Sequence, residues 1–406
     1  MEEKLNNQQR TILIVLSLIN FFNYIDRQVI FPLFDLIKQD FHISDFQLGL
    51  LGTVFMLVHS LASLPLGIMA DKYSRKVIIA TGIVFWSLFS FASGLAESFR
   101  TLLGIRSLVG IGEAAYAPAA TAMISDNIPP SQRARAQGVF NAGLFAGGTL
   151  GAMLGGVIAY YSHNWRIAFF LVSIPGLILA FWSLQLKDIR AAEVSQTMDI
   201  KHLLRNVTYL WILIGGIFAT FATGAFVSWG IEFVVRYKGY NLRDASLLLG
   251  GTLMVAGLIG VFGGSWIADH LQKKITWGRS ITVAISQLIA APIMFLGLIS
   301  PGSGFVFFLY FFVGTLLLSF YYGPVTAVMH DIVPKQLRAT SFAFYILVIH
   351  LLGDTLAPAV VGKISDHSSL RLAMEWSTLF VFLSGLSFLV VNEIIRRKKI
   401  ILQIDD

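Results

Sequence analysis

Of 406 residues, 13% are Asp, Glu, Lys or Arg and 56% are apolar, whereas soluble domains carry about 25% charge. A water-soluble chain of this length cannot enclose so much apolar surface, so lipid is the expected solvent and a large soluble catalytic domain is excluded. The chain has no cysteine, which removes disulfides and thiolate chemistry, and its net charge of +7 implies either nucleic acid or a membrane surface as partner, depending on where the cations lie.

A helix needs about 20 apolar residues to cross a bilayer. The polar start MEEKLNNQQR runs into such a segment without a small-residue cleavage site, so it is expected to lead an uncleaved first helix. Apolar runs follow at about 11–37, 45–70, 77–96, 99–124, 133–160 and 165–186. A second set lies at about 206–235, 242–269, 279–299, 303–329, 337–365 and 371–395. The prediction is an all-α membrane protein of twelve transmembrane helices in two pseudo-symmetric six-helix bundles, residues 1–186 and 206–406, joined by a polar linker at 187–205.

The cations fall in the short connectors. Twenty of the thirty Lys and Arg, among them Lys72, Arg75, Lys76, Arg133, Lys187, Arg279 and Arg396, lie on the side of the termini, and eight lie on the other. By the positive-inside rule both termini are expected in the cytoplasm, and the basic excess belongs to lipid rather than nucleic acid. The remaining two, Arg27 and Arg106, sit inside apolar runs.

The halves repeat. DNIPPSQRA, from Asp126 to Ala134, and DIVPKQLRA, from Asp331 to Ala339, match at Asp, Pro, Arg and Ala, and Pro118 and Pro324 precede them. Parallel repeats are a recurrent transporter plan. Between the second and third runs stands Gly67-Ile-Met-Ala-Asp71-Lys72-Tyr-Ser-Arg75-Lys76. It resembles the signature loop of the major facilitator superfamily, with Ser74 where glycine is usual. The second-half copy, Ser265 to Asp269 followed by Lys273 and Lys274, is degenerate.

Three further segments are similar to the spinster family of lipid transporters: Asn23-Tyr24-Ile25-Asp26-Arg27-Gln28, Gly112-Glu113-Ala114-Ala115-Tyr116, and His350-Leu-Leu-Gly353-Asp354 running to Pro358. Anion:cation symporters share the first two in looser form. The resemblance implies a secondary transporter working by alternating access. It also implies an amphipathic anionic substrate such as a lysophospholipid or sphingoid phosphate. The alternative is a small organic anion, a sugar acid or carboxylate, carried with protons or sodium.

An ionisable group at membrane depth costs at least about 2.5 kcal/mol and needs a partner, a wet cavity or a function. Arg106 and Glu113, seven residues apart, return to one helix face. In the family the first and fourth helices line the cavity, so Asp26 is expected to share Arg106 with Glu113 as a proton-controlled latch; the alternative is a permanent structural network. Arg27 diverges from Asp26 by about 100° and is expected to contact substrate or another carboxylate, or to reach toward the extracellular side. His350 and Asp354, four apart, form a second candidate pair. Glu232 and Arg236 repeat that spacing near the extracellular end, as a gate or surface pair, while His59 and His330 read as structural. Asn23, Tyr24, Tyr116, Tyr321 and Tyr322 are candidate substrate-path residues. Small residues at four-residue spacing, Gly147, Gly151 and Gly155, allow a close helix contact. They also resemble the superfamily's antiporter motif, with Ala152 where proline is usual.

No HExxH or GxSxG is present, so no metal centre and no enzymatic activity are expected. No cofactor is expected beyond a coupling proton. Short loops favour a bacterial cytoplasmic membrane, and a monomer is expected.

Overall fold

The computed structural model describes residues 5–187, 203–301, 304–334 and 337–404, and among these the fold is helical, without strands. Most of the polar segment 187–205 lies outside the described residues. The chain divides into two compact units, Met1–Val194 with Asn241–Gly250, and Ser195–Tyr240 with Gly251–Asp406.

In the first unit the helices are α1 (Asn7–Gln28), α2 (Phe34–Phe41), α3 (Asp45–Lys72), α4 (Arg75–Ser93), α5 (Phe99–Ala114), α6 (Tyr116–Asn127), α7 (Pro130–Ser162) and α8 (Trp165–Leu184). Polar residues in the connectors start them. Asn6 and Ser44 form capping boxes with Gln9 and Gln47, and Ser98 and Asn164 accept from the first-turn amides of α5 and α8.

In the second unit come α9 (Val207–Lys238), α10 (Leu242–Gln272), whose start belongs to the first unit, α11 (Gly278–Ile299), α12 (Phe305–Leu318), α13 (Tyr322–Ile332), α14 (Arg338–Ile349), α15 (Ala357–His367) and α16 (Leu370–Ile404). Eleven helical segments among the described residues are long and apolar enough to cross a membrane. The twelfth expected span, 99–124, is divided by a turn at Ala115 into α5 and α6, each too short to cross alone.

Proline places these interruptions. Its ring clashes with the carbonyl four residues earlier and it donates no hydrogen bond. The carbonyl in question is that of Gln28 for Pro32, where α1 ends, and of Ala114 for Pro118, where α5 ends. For Pro324 it is Phe320, inside a 3-10 turn at Ser319–Tyr321, and for Pro358 it is Asp354, the last residue of a π-helical turn at His350–Asp354. Pro65, Pro175 and Pro292 lie within continuous helices, so proline alone does not decide a break.

Each unit has its own core. In the first, Ile12, Leu16, Ile83, Trp86, Tyr116 and Met123 pack together; in the second, Tyr209, Ile212, Tyr321, Met329, Tyr345 and Phe388 do. Large apolar side chains such as Leu61 at 62% exposure, Phe262 at 73% and Phe305 at 79% point outward, as lipid-facing residues do. The chain is an integral, multi-pass membrane protein.

The close contact expected of α7 is made with α1. A Cβ on Gly147 would stand 2.2 Å from the Phe21 carbonyl oxygen, one on Gly151 2.6 Å from that of Ile25, and one on Gly155 2.7 Å from that of Val29. Three successive contacts, four residues apart along each side of the seam, therefore run backbone to backbone. This seam sets the depth and rotation of α1, which carries Asp26 and Arg27.

Candidate functional site

Arg106, Gly110 and Glu113 follow one face of α5 at spacings of four and three. Gly110 is what admits a neighbour: a Cβ there would lie 2.7 Å from the carbonyl oxygen of Phe55. Helix α3 consequently lies tight against this face and lays Phe55 and His59 beside the two charged residues. From α1 come Asp26 and Arg27.

The pairing is crossed relative to expectation. Glu113 does not share Arg106 as its hydrogen-bonding partner; Arg27 reaches it instead, with Nε and Nη2 each 3.2 Å from Glu113 Oε2. Arg106 stands with Nη1 3.8 Å from Asp26 Oδ2, a charge contact rather than a hydrogen bond. The reason is the divergence between consecutive residues of α1, which turns Asp26 toward Arg106 and Arg27 toward His59 and Glu113, while the Asp26 carboxyl also meets that of Glu113. Arg27 therefore finds a carboxylate and does not extend to the extracellular side.

Asp26, Arg106 and Glu113 are 1–2% exposed. Ser90, from α4, donates to Asp26 Oδ1. Phe55 takes both guanidinium groups against its ring, Arg106 at 5.1 Å and Arg27 at 5.3 Å from the centroid. Phe169 adds a second face to Arg106 at 5.7 Å, and Tyr24 one to Arg27 at 4.9 Å. Two carboxylates face two guanidiniums, so the cluster is neutral with all four groups ionised. Even so, Asp26 Oδ2, Glu113 Oε1, Arg106 Nε and Nη1, and the amide nitrogen of Asn23 are buried without a hydrogen-bond partner among the described residues. Of these, the two carboxylate oxygens can take a proton, and the nitrogens, which only donate, can take a new acceptor without first breaking a bond.

Ser90, Phe55 and His59 are components that sequence reasoning passed over or, for His59, assigned to structure. The His59 Nε2 atom lies 3.0 Å from Arg27 Nη2. The signal for α3 was available in Gly110, set between two charges on one face.

In the second unit His350 Nδ1 and Asp354 Oδ2 are 2.8 Å apart, on the π-helical turn. Helix α9 compensates that turn: Thr220 donates to the Ile349 carbonyl at 2.9 Å and Trp229 Nε1 to that of Pro358 at 2.9 Å. A Cβ on Gly353 would meet Thr220 Oγ1 at 2.1 Å, so glycine is required for this approach. Asp354 Oδ1 has no hydrogen-bond partner among the described residues. Glu232 and Arg236 pair at 2.5 Å as their spacing predicts, but Glu232 is 1% exposed, so this is no surface pair.

Two tyrosines move from path to core. Tyr116 donates to the Leu16 carbonyl, and Tyr321 pairs with Tyr345; both are nearly fully buried in their unit's apolar cluster. Tyr322, 39% exposed, and the partly exposed Tyr24 retain open faces.

The signature loop follows α3. A Cβ added at Gly67 would lie 3.5 Å from Pro118, while Lys72 is exposed, Lys76 partly exposed, and the Asp71 side chain lies outside what the structure describes. Arg75 pairs with Asp126. In the second unit Arg279, not Lys273 or Lys274, takes this role, binding Asp269 at 2.7 Å and Asp331 at 2.9 Å. The repeated Asp126 and Asp331 thus receive the same kind of partner. The repeated Arg133 and Arg338 each donate to a carbonyl ending the preceding helix, Ile128 at 3.2 Å and His330 at 3.0 Å. Because Asp269 and Asp331 are 59% and 49% exposed and Asp126 is 18%, Arg279→Gln should cost about 1 kcal/mol or less. Arg75→Gln should cost about 1.5–3 kcal/mol. Thermal unfolding of the two variants in detergent checks the order.

Two helical units with matching basic loops and buried, partly unsatisfied ion pairs define a membrane transporter. The family model described as Major Facilitator Superfamily matches residues 16–358, and the chain belongs to that family. Within it the chain is of the spinster type. Protein spinster homolog 1 of Xenopus tropicalis is 31% identical over 383 residues, covering 88% of this chain and 73% of that protein. Protein spinster of Drosophila melanogaster is 31% identical over 372 residues, 87% of this chain, and the match spans 61% of the fly protein's length. The crystal structure of a bacterial homolog to the human lysosomal transporter spinster, inward-facing and occupied, shares the fold. Its TM-score is 0.86 at 24% identity, over 96% of this chain and 98% of that one.

Proposed function

We propose that this transporter carries an amphipathic anion, such as a lysophospholipid or sphingoid phosphate, by alternating access coupled to protons. One observation carries the reading: two deeply buried carboxyls, Asp26 and Glu113, lie against each other and against arginines of the same cluster. A proton on Glu113 weakens its hold on Arg27, and the guanidinium is then available to a phosphate or carboxylate head group. The acyl tail would lie on the apolar and aromatic surfaces that composition supplies in excess. His350 and Asp354 provide a second polar position in the other unit. The distribution of the cations supports cytoplasmic termini, and a bacterial inner membrane and a monomeric working unit belong to the same proposal.

Reconstituted into liposomes, the parent should take up a lysophosphatidate probe in response to a pH gradient. Glu113→Gln should lose that response at least tenfold while expressing and folding normally. Undiminished gradient-driven flux in Glu113→Gln would overturn proton coupling through this residue. Preference for sugar acids or dicarboxylates over lysolipids in the same vesicles would overturn the substrate class.

A further inference from the structure

A guanidinium only donates, so the 3.0 Å contact between Arg27 Nη2 and His59 Nε2 makes Nε2 the acceptor. The imidazole is then neutral and carries its proton on Nδ1. His59 is held from its own helix as well: its ring stacks on Phe55 at 6.1 Å, and its carbonyl accepts from Ser63 at 2.7 Å. Among the described residues, Arg27 from α1 stands against it; beyond Arg27 lie Glu113 from α5 and, against Glu113, Asp26 from α1, and across Phe55 lies Arg106 from α5.

We infer that His59 is a positioning residue that retains Arg27 against Glu113 only while its imidazole is neutral, so that protonation of His59 and departure of Arg27 from Glu113 are a single event. The inference rests on reading the cluster as the coupling site. The charge count explains it. Asp26, Glu113, Arg27 and Arg106 balance two against two, and an imidazolium at 3.0 Å from a guanidinium would set two like charges side by side. It would also replace the acceptor lone pair with a second donor. The contact exists in one protonation state of His59 and is repulsive in the other. When Arg27 turns to an anionic head group, Nε2 loses that donor and can take a proton. His59 is half-buried, whereas Asp26 and Glu113 are sealed, so it is the least enclosed of the three.

The test needs no transport. The full chain is labelled with nitrogen-15 histidine, placed in lipid nanodiscs and titrated by NMR, the His59 signal being assigned by its loss in His59→Gln. The parent should show the proton fixed on Nδ1. In Arg27→Gln the proton should redistribute between the two nitrogens, and uptake of the second proton should occur at a pH at least one unit higher, a tenfold gain in affinity. Should Arg27→Gln not fold, Glu113→Gln gives the comparison, because it removes the carboxylate that anchors Arg27: the Nδ1 tautomer should then be less fixed than in the parent and the second proton taken up at a higher pH. A proton on Nε2 in the parent, or identical titrations in parent and Arg27→Gln, would overturn the inference. Flux failing in vesicles while these signals hold would overturn the proposed substrate or coupling and leave the His59–Arg27 linkage standing.

Discussion

Arg106→Met is expected to destabilise the protein by about 3–5 kcal/mol, because it strands the Asp26 carboxylate, 2% exposed, without its counter-charge. Ser90 remains as a donor to one oxygen, which is too little for a full charge in this setting. Combining it with Asp26→Asn should restore most of the loss, since a neutral amide removes the charge that needed balancing. The double variant should fold yet fail in gradient-driven flux, because one of the two carboxyls proposed to carry the coupling proton is gone. Thermal and denaturant unfolding in detergent measures the cycle. A double variant no more stable than Arg106→Met would mean that Arg106 is held by Phe55 and Phe169 rather than by Asp26.

Gly147→Ala should produce the second large effect. Its new methyl would stand 2.2 Å from the Phe21 carbonyl oxygen, which is backbone and cannot rotate away. Helices α1 and α7 must separate, at a cost near the upper end of the about 1–3 kcal/mol typical of overpacking. Separation also moves Asp26 and Arg27 from α5, so flux should fall together with stability. Gly138→Ala in the same helix has nothing within 4 Å of the added methyl and should stabilise by about 0.5–1 kcal/mol through helix propensity. Equal behaviour of the two variants would exclude the glycine seam as the reason.

Eleven of the twelve expected spans were legible in the sequence as segments able to cross, because a bilayer imposes one length and one polarity on every crossing segment; the break at Ala115 was not. The seam on α7 was legible too, since Gly147, Gly151 and Gly155 stand at the four-residue spacing of a close helix contact. Its partner was not: nothing in α7 says that α1, rather than another helix, lies against it. Prolines explain the interrupted helices after the fact, but Pro65 and Pro292 have the same chemistry without the same outcome. Packing around each ring decides, and packing is not local.

The charged residues divide in the same way. Composition and position determined that Asp26, Arg27, Arg106, Glu113, His350 and Asp354 are exceptional, because burying a charge in lipid is costly wherever it occurs. Their partners were a tertiary matter. Helical rotation separates Asp26 from Arg27, and Gly110 lets α3 bring His59 within 3.0 Å of Arg27. The same applies to Arg279, which meets Asp331 across 52 residues while the nearer lysines do not. A sequence determines which groups demand a partner through the cost of leaving them alone. Which partner each receives depends on the depth and rotation at which helices pack, and only the tertiary structure decides those.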